Sequence, residues 1–282
     1  MNRQRNGSAT IGVYDGEYCG SFHIELALTC MRLPYEVFGD EDVLGSRFGE
    51  AFSVLIFGAG HVFDSPTALG GAVGKQRIGD LIGEGRNYIG ICAGAYLALL
   101  DGPKGLALAR HELYHPQAGN IFQGFLSVEH PDGSGREFPL WYQNGPVLSR
   151  ATHGVVARFS TKQAHEADTC SKGASLTASD FSDRPAAVAT EYGNGRCVLL
   201  SAHPELGALG IPGYISLTEH WMQENFPEER QAHPNRVPVG RSRRCFLDNV
   251  GELGLSAQVR GPQWSMLREL IGGALEEPDD TI

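Results

Sequence analysis

NYIGICAGAYLALL, residues 87–100, is the stretch on which the reading of the fold turns. Asn87–Ile91 is a short apolar run suited to a buried strand. It stops at Cys92, and Ala93–Leu100 continues at once with helix-forming residues. The spacing therefore predicts a strand passing into a helix with no loop between them. Small residues at Gly90, Ala93 and Gly94 flank the junction. This is the pattern of a nucleophile elbow, where a strained turn lifts one side chain above a sheet and small neighbours avoid clashes. A thiol held there meets the exposed N–H groups and the positive dipole end of the helix, which favour the thiolate. The competing reading is an inert cysteine in the core.

Upstream of this stretch, Ile11–Tyr14 (IGVY) reads as a strand ending in the turn Asp15-Gly16, and Phe22–Leu33 (FHIELALTCMRL) is mostly apolar at helical length. Tyr35–Phe38 and Phe52–Phe57 read as further strands and Lys75–Glu84 as a helix. Strand–helix alternation with continuously apolar strands predicts a mainly parallel sheet flanked by helices on both faces. Between Gly105 and Gly193 the character changes. Phe122–Glu129, Glu137–Tyr142, Val155–Phe159 and Ala186–Tyr192 are β-rich and separated by Gly, Pro, Asp and Ser, which predicts an antiparallel excursion appended to the sheet. Arg196–Ser201 (RCVLLS) returns to buried-strand character, and Ile215–Phe226 and Ser265–Leu275 read as helices. The expected organisation is an α/β domain over residues 9–207. A C-terminal helical extension over 208–282 follows, packed on it or partly flexible.

The chain has 282 residues, of which 41% are hydrophobic and 20% charged, so a disordered or low-complexity chain is excluded. Its formal charge of −10 argues against a nucleic-acid partner, since phosphate backbones reward clustered Lys and Arg. The one basic stretch, Arg236–Arg244 (RVPVGRSRR), contains Pro238 and Gly240 and reads as a solvated linker. The six cysteines form no CxxC pair, so no structural zinc cluster is signalled. The N-terminus has no apolar run of signal-peptide length, and no stretch reaches the ~18 apolar residues of a membrane span. The expectation is a cytoplasmic protein with reduced thiols and no membrane partner.

A second feature sharpens the reading of Cys92. The strand Arg196–Ser201 runs into Ala202-His203-Pro204-Glu205, and a His at the C-terminal end of a parallel strand faces the crevice where open α/β sheets place ligands. Glu205 could orient that His by accepting its second N–H, the third role of a catalytic triad. The separation of 111 positions between Cys92 and His203 is no obstacle, because such partners meet in space.

G-I-C-A-G-A-Y (residues 90–96) together with S-A-H-P-E (201–205) resembles the class I glutamine amidotransferase-like superfamily, a flavodoxin-like α/β fold. Within it, the likeness is nearest the N-terminal domain of biotin-protein ligases and its stand-alone relatives. The resemblance covers residues 9–207 and includes Tyr14-Asp15-Gly16, Gly58-Ala59-Gly60 and Trp141-Tyr142-Gln143-Asn144-Gly145-Pro146. It implies Cys92 as nucleophile, His203 as base and Glu205 as orienting acid. It also implies an oxyanion hole from the backbone N–H of Ala93 and of the Gly58–Gly60 loop. Neither a synthetase partner domain nor the glycine-rich biotinyl-adenylate motif is evident, so what carries over is Cys-dependent chemistry on a carbonyl. The expected substrate is a small-molecule amide or acyl group, with no cofactor; a homodimer or a partner enzyme remains open. The rival from another class is a non-catalytic relative acting as a small-molecule or partner-binding module.

Other residues compete for attention. His111-Glu112-Leu113-Tyr114-His115 fits H-E-x-x-H, the helical zinc-hydrolase motif that sets two His on one helix face. Pro116 follows at once and blocks helix continuation, so a loop near the cysteine is the competing reading and no metal is expected. Glu17, in the loop after the first strand, could hydrogen-bond the thiolate. His61, just past the Gly58–Gly60 loop, and Tyr142 are candidates for substrate contact.

Overall fold

The computed structural model describes residues 11–17, 19–46, 48–60, 67–115, 120–131, 133–162, 174–232, 238–249 and 261–275. In chain order the first half comprises β1 (Ile11–Tyr14), α1 (Phe22–Met31), β2 (Tyr35–Phe38), α2 (Phe48–Ala51), β3 (Val54–Phe57), α3 (Gly71–Gly83), β4 (Asn87–Ile91) and α4 (Ala93–Leu99). The second half comprises β5 (Gln123–Glu129), β6 (Glu137–Gln143), β7 (Val155–Arg158), β8 (Pro185–Tyr192), β9 (Gly195–Leu200), α5 (Gly210–Asn225), α6 (Pro227–Ala232), α7 (Gly240–Asn249) and α8 (Pro262–Leu275).

Seven strands form one sheet in the order β2-β1-β3-β4-β9-β8-β7. The first five run parallel, and β8 and β7 complete it antiparallel. Every residue of β1 and β3 is buried, as strands covered on both faces must be. One face carries α1, Trp221 of α5, Phe246 of α7 and Trp264, Leu267 and Ile271 of α8. The other carries α3 and α4 through Ile78, Ile82, Ala95 and Leu97. The mainly parallel α/β architecture predicted from the sequence is the one observed.

The antiparallel excursion differs from the expectation in one respect. Only β7 and β8 join the main sheet, whereas β5 and β6 pair with each other as a separate two-stranded ribbon. The reason lies in the burial pattern. β5 alternates half-buried and buried residues, so only one of its faces needs cover, and that face packs into the core with Leu126, Val128, Phe138 and Trp141. β8 instead returns to β9 through the two-residue turn Gly193-Asn194, with Gly193 at φ 59°, which forces the two strands side by side.

Two helices begin earlier than the sequence predicts: α3 at Gly71 rather than Lys75, and α5 at Gly210 rather than Ile215. Pro212 does not prevent the latter, because it falls in the first turn, where its missing N–H would have no intrahelical acceptor. No helix among the described residues is long and apolar enough to cross a membrane.

The stretch Arg236–Arg244 corrects the linker reading. From Gly240 onward it is the first turn of α7, and Arg243 reaches back across the molecule. Its Nη1 lies 3.0 Å from Asp15 Oδ2, and its Nη2 donates to the Glu25 carboxylate and to Ser21 Oγ. A charged side chain that is 83% shielded and answers two carboxylates belongs to the core's edge, not to a solvated segment. Removing one partner of a largely buried ion cluster strands the others. Arg243→Ala is therefore expected to lower unfolding stability by about 2–3 kcal/mol, as read by urea denaturation. A solvated linker arginine would change it by less than about 0.5 kcal/mol.

Candidate active site

The register of the parallel strands brings the site together. Phe57 pairs with Gly90 and Ile91 with Leu200, so β3, β4 and β9 end at nearly one level. The residues that follow, Gly58, Cys92 and Ser201–His203, emerge side by side at the carboxyl edge of the sheet. Cys92 itself has φ 53° and ψ −103°, outside the regions an L-residue favours. It is held there by Cys92 N–H donating to Leu200 O at 2.9 Å and Gly94 N–H donating to Gly58 O at 3.1 Å. The small neighbours are required. A Cβ on Gly94 would lie 2.1 Å from Phe57 O, and one on Gly90 would lie 2.6 Å from Gly94 O. The strained elbow predicted at residues 90–94 is thus present.

His203 is anchored through its main chain, with its N–H donating to Trp141 O at 2.8 Å. Its Nδ1 lies 2.8 Å from Glu205 Oε1, both residues being almost wholly buried. Burial alone would pull the imidazolium down, but the charge of Glu205, and of Cys92 after it, outweighs burial and pushes the pKa of His203 up to about 10. Cys92 also acts on His203 as a hydrogen-bonding neighbour. His203 Nε2 nonetheless makes no bond of full hydrogen-bond distance and angle. The Cys92 thiol instead donates to Gln143 O at 3.4 Å. The cysteine and the imidazole are therefore neighbours whose bond is not closed in this state, a common looseness of unliganded sites.

The supposed oxyanion loop is tied to the loop after β1. Gly20 N–H donates to Ala59 O at 3.1 Å, and Cys19 and Gly60 form an isolated antiparallel bridge. Burial, with the nearby charge of Cys92, pushes the Cys19 thiol up. Ala93 opens α4, where first-turn N–H groups lack intrahelical acceptors.

Two candidates from the sequence, Glu17 and Tyr142, stand elsewhere. Glu17 is exposed, and its carboxylate accepts from Thr67 Oγ1 at 3.2 Å and not from Cys92. Tyr142 is fully buried, donates to Gly145 O at 2.6 Å and packs against Phe122, Phe159 and Phe181, so it is a core residue rather than pocket lining. His61 lies outside the described residues.

His111–His115 is not helical. Leu113 bridges Leu148 in antiparallel fashion, and Tyr114 N–H donates to Val147 O. Without a helical turn residues i and i+4 are not brought onto one face, so the premise of the zinc motif fails. His111 is shifted down by burial and by the neighbouring His153. No group of three or more metal-ligating side chains occurs among the described residues.

Sequence reasoning missed three residues that touch Glu205 or feel its charge. Trp264 of α8 donates its indole N–H to Glu205 O at 3.1 Å. Tyr214 of α5 is buried, and its hydroxyl is raised by burial, then by Cys30 and Glu205. His23 of α1 lies edge-on to Tyr214 with ring centroids 5.2 Å apart. Only His23 carried a signal, a polar residue in the apolar run Phe22–Leu33.

At the level of sequence, no family model and no curated protein matches the chain. Among solved structures it is similar to a glutamine amidotransferase from Thermotoga maritima, with 14% identity and TM-score 0.47 over 95% of this chain and 98% of that one. It is similar to a second glutamine amidotransferase at 20% identity and TM-score 0.44, over 70% of this chain and 90% of that one. A GH42 β-galactosidase, Gan42B, is also similar at 12% identity and TM-score 0.37, over 83% of this chain and 31% of that one. The structural neighbours thus include glutamine amidotransferases, and the reading of the site rests on its own geometry.

The two histidines give opposite pH dependences. His203 titrates higher in the fold than its ordinary 6.5, so its contribution is complete below about pH 6.5 and is lost as pH rises through about 10. His23 is pulled down to about 4 by burial, with Glu205 opposing and His203 and Arg243 adding to the fall. Its neutral form is favoured by folding, so the native state weakens as pH drops from 6.5 toward 4. Urea midpoints across pH 4–10 should therefore fall at both ends, with His203→Gln flattening the alkaline side and His23→Gln the acid side.

Proposed function

We propose that this chain is a cysteine-dependent hydrolase or amidotransferase-like protein that acts on an amide or acyl group of a small molecule. The observation that carries the reading is the strained Cys92 at the strand–helix junction, beside an imidazole whose other nitrogen lies 2.8 Å from a buried carboxylate. On motif grounds we assign it to the stand-alone relatives of the N-terminal domain of biotin-protein ligases.

In this reading the thiolate of Cys92 attacks the carbonyl carbon, and His203, as imidazolium, gives its proton to the departing amine or alcohol. Water activated by the now neutral His203 then hydrolyses the thioester and restores Cys92. Glu205 keeps Nδ1 protonated and the ring in one orientation, the role the third member of a triad plays. The developing oxyanion would be met by Ala93 N–H and by the loop after β3. Each such donor is worth about 3–4 kcal/mol of transition-state stabilisation. The reaction as written needs no metal or cofactor. The cysteines among the described residues are free thiols, which supports a reducing compartment such as the cytoplasm. The formal net charge of −10 supports a small-molecule substrate rather than nucleic acid.

Iodoacetamide at neutral pH is expected to label Cys92 faster than the other thiols, and His203→Gln should erase that preference. Cys92→Ser should abolish turnover of amide and ester substrates with little change in stability, because oxygen replaces sulfur at nearly constant volume and serine ionises far less readily. Uniformly slow labelling of all thiols, read by peptide mass spectrometry, would instead identify a binding module that retains the fold without the chemistry.

A further inference from the structure

Besides His203, the Cys92 thiol has a second neighbour, and it is a backbone carbonyl. Gln143 O accepts from Cys92 Sγ at 3.4 Å, while His203 Nε2 makes no hydrogen bond. What aims that carbonyl is the peptide unit to which it belongs. The N–H of this unit, that of Asn144, donates to Phe122 O at 3.1 Å, and in a trans peptide the C=O points the opposite way. The Asn144 side chain fixes the same unit. Its Oδ1 accepts from Ile121 N–H at 2.8 Å and from Phe122 N–H at 3.3 Å, two buried residues just ahead of β5. The backbone of Asn144 stands at φ 54°, a left-handed conformation that asparagine tolerates better than most residues with a side chain. Turning the 143–144 peptide over would change this φ and swing the carbonyl away from the sulfur. The far end of the turn is held separately. Gly145 O accepts from the Tyr96 hydroxyl at 3.1 Å and from the Tyr142 hydroxyl at 2.6 Å, and a Cβ on Gly145 would lie 2.0 Å from Ser201 O. Those contacts fix residue 145 and leave the direction of the 143–144 peptide to Asn144.

We propose that Asn144 is a positioning residue for the nucleophile: it aims the Gln143 carbonyl at Cys92 and so holds the sulfur in its thiol form against the pull of His203. The inference rests on the triad reading above. A single S–H serves one acceptor at a time, and in the resting site that acceptor is Gln143 O. When the proton passes to His203 Nε2, the S–H bond breaks, an N–H bond forms, and no other group changes. The carbonyl then turns the negative end of its dipole on an anionic sulfur. It therefore counters the imidazole and the helix end, both of which favour the thiolate. The titratable groups that act on Cys92 come from four segments: His203 after β9, Cys19 in the loop after β1, Tyr142 of β6 and Tyr96 of its own helix. Burial holds the two tyrosine hydroxyls and the Cys19 thiol well above their ordinary values. Across the neutral range the exchange of a proton is thus left to Cys92 and His203.

The test uses the full chain and needs no known substrate. Alkylation of Cys92 by iodoacetamide is followed by peptide mass spectrometry across about pH 5–10, which gives the midpoint and the plateau of the thiolate's reaction. Asn144→Ala removes the acceptor oxygen and disfavours the left-handed φ, whereas Asn144→Gly removes the oxygen but permits that φ. Each should move the midpoint down by about half to one pH unit, the worth of one hydrogen bond to the thiol. Asn144→Asp keeps an acceptor for both N–H groups and tolerates the φ, so its midpoint should stay at or above that of the wild type. A turn merely loosened so that reagent enters more easily would raise the rate at every pH and leave the midpoint in place. If Asn144→Ala does not fold, Asn144→Gly decides, with Asn144→Asp as its reference. Midpoints of the Ala and Gly variants that coincide with the wild type, or an Asp variant that falls with them, would overturn the positioning role. In that event a His203→Gln midpoint above the wild type's would leave the triad standing. If His203→Gln does not move the profile, the triad itself is refuted and the role of Asn144 falls with it.

Discussion

The backbone of Cys92 sits where a side-chain-bearing residue pays a steric penalty, and the surrounding sheet is what keeps it there. Its N–H is spent on Leu200 of β9, and two residues on, Gly94 N–H is spent on Gly58 at the end of β3. These are the strands on either side of β4, so the elbow is braced from both flanks. Gly90 and Gly94 allow carbonyl oxygens to approach where any Cβ would collide. Strain of this kind costs about 1–3 kcal/mol and survives only where its neighbours over-determine it. The parallel register supplies that over-determination, and the same register delivers His203 beside the elbow.

The second half of the chain has two tasks around this centre. The β5–β6 ribbon leads into Trp141, whose carbonyl holds the main chain of His203, and into Gln143, whose carbonyl receives the Cys92 thiol. The helices after residue 207 supply Trp264, whose indole N–H donates to Glu205 O, and join the same core as α1. Arg243 ties this helical part to the loop after β1 through Asp15, Ser21 and Glu25. The loop after β1 in turn holds the Gly58–Gly60 loop through Cys19 and Gly20. The site is therefore bounded by segments drawn from nearly the whole length of the chain.

The electrostatics follow from burial. A carboxylate and an imidazole removed from water hold one another in their charged forms, which lifts His203 despite desolvation. His23, which feels Glu205 through its charge alone, is dominated by desolvation and goes the other way. Two histidines within one cluster thus take opposite protonation states across the neutral range, a separation of roles that environment alone imposes.

Local patterns in the chain determined the α/β class, the elbow and the His-x-Glu pair. Each of these is written within a few consecutive residues: a continuous apolar run, a junction of small residues, a strand ending in His203-Pro204-Glu205. The same logic misjudged Arg236–Arg244, because Pro238 and Gly240 mark a break while the partners of Arg243 lie more than 200 residues away. It also placed β5 and β6 in the main sheet, since strand character is local but strand partnership is not. The H-E-x-x-H spacing promised a helix that the pairing of Leu113 with Leu148 overrode. Glu17 and Tyr142 were singled out by chemistry and position, but Thr67 holds the first and an aromatic cluster buries the second. Trp264, which meets the Glu205 main chain from a helix distant in sequence, left no local trace at all. Residue type and short spacing are properties of the chain, whereas burial, pairing and the company a charge keeps arise only when remote segments are packed together.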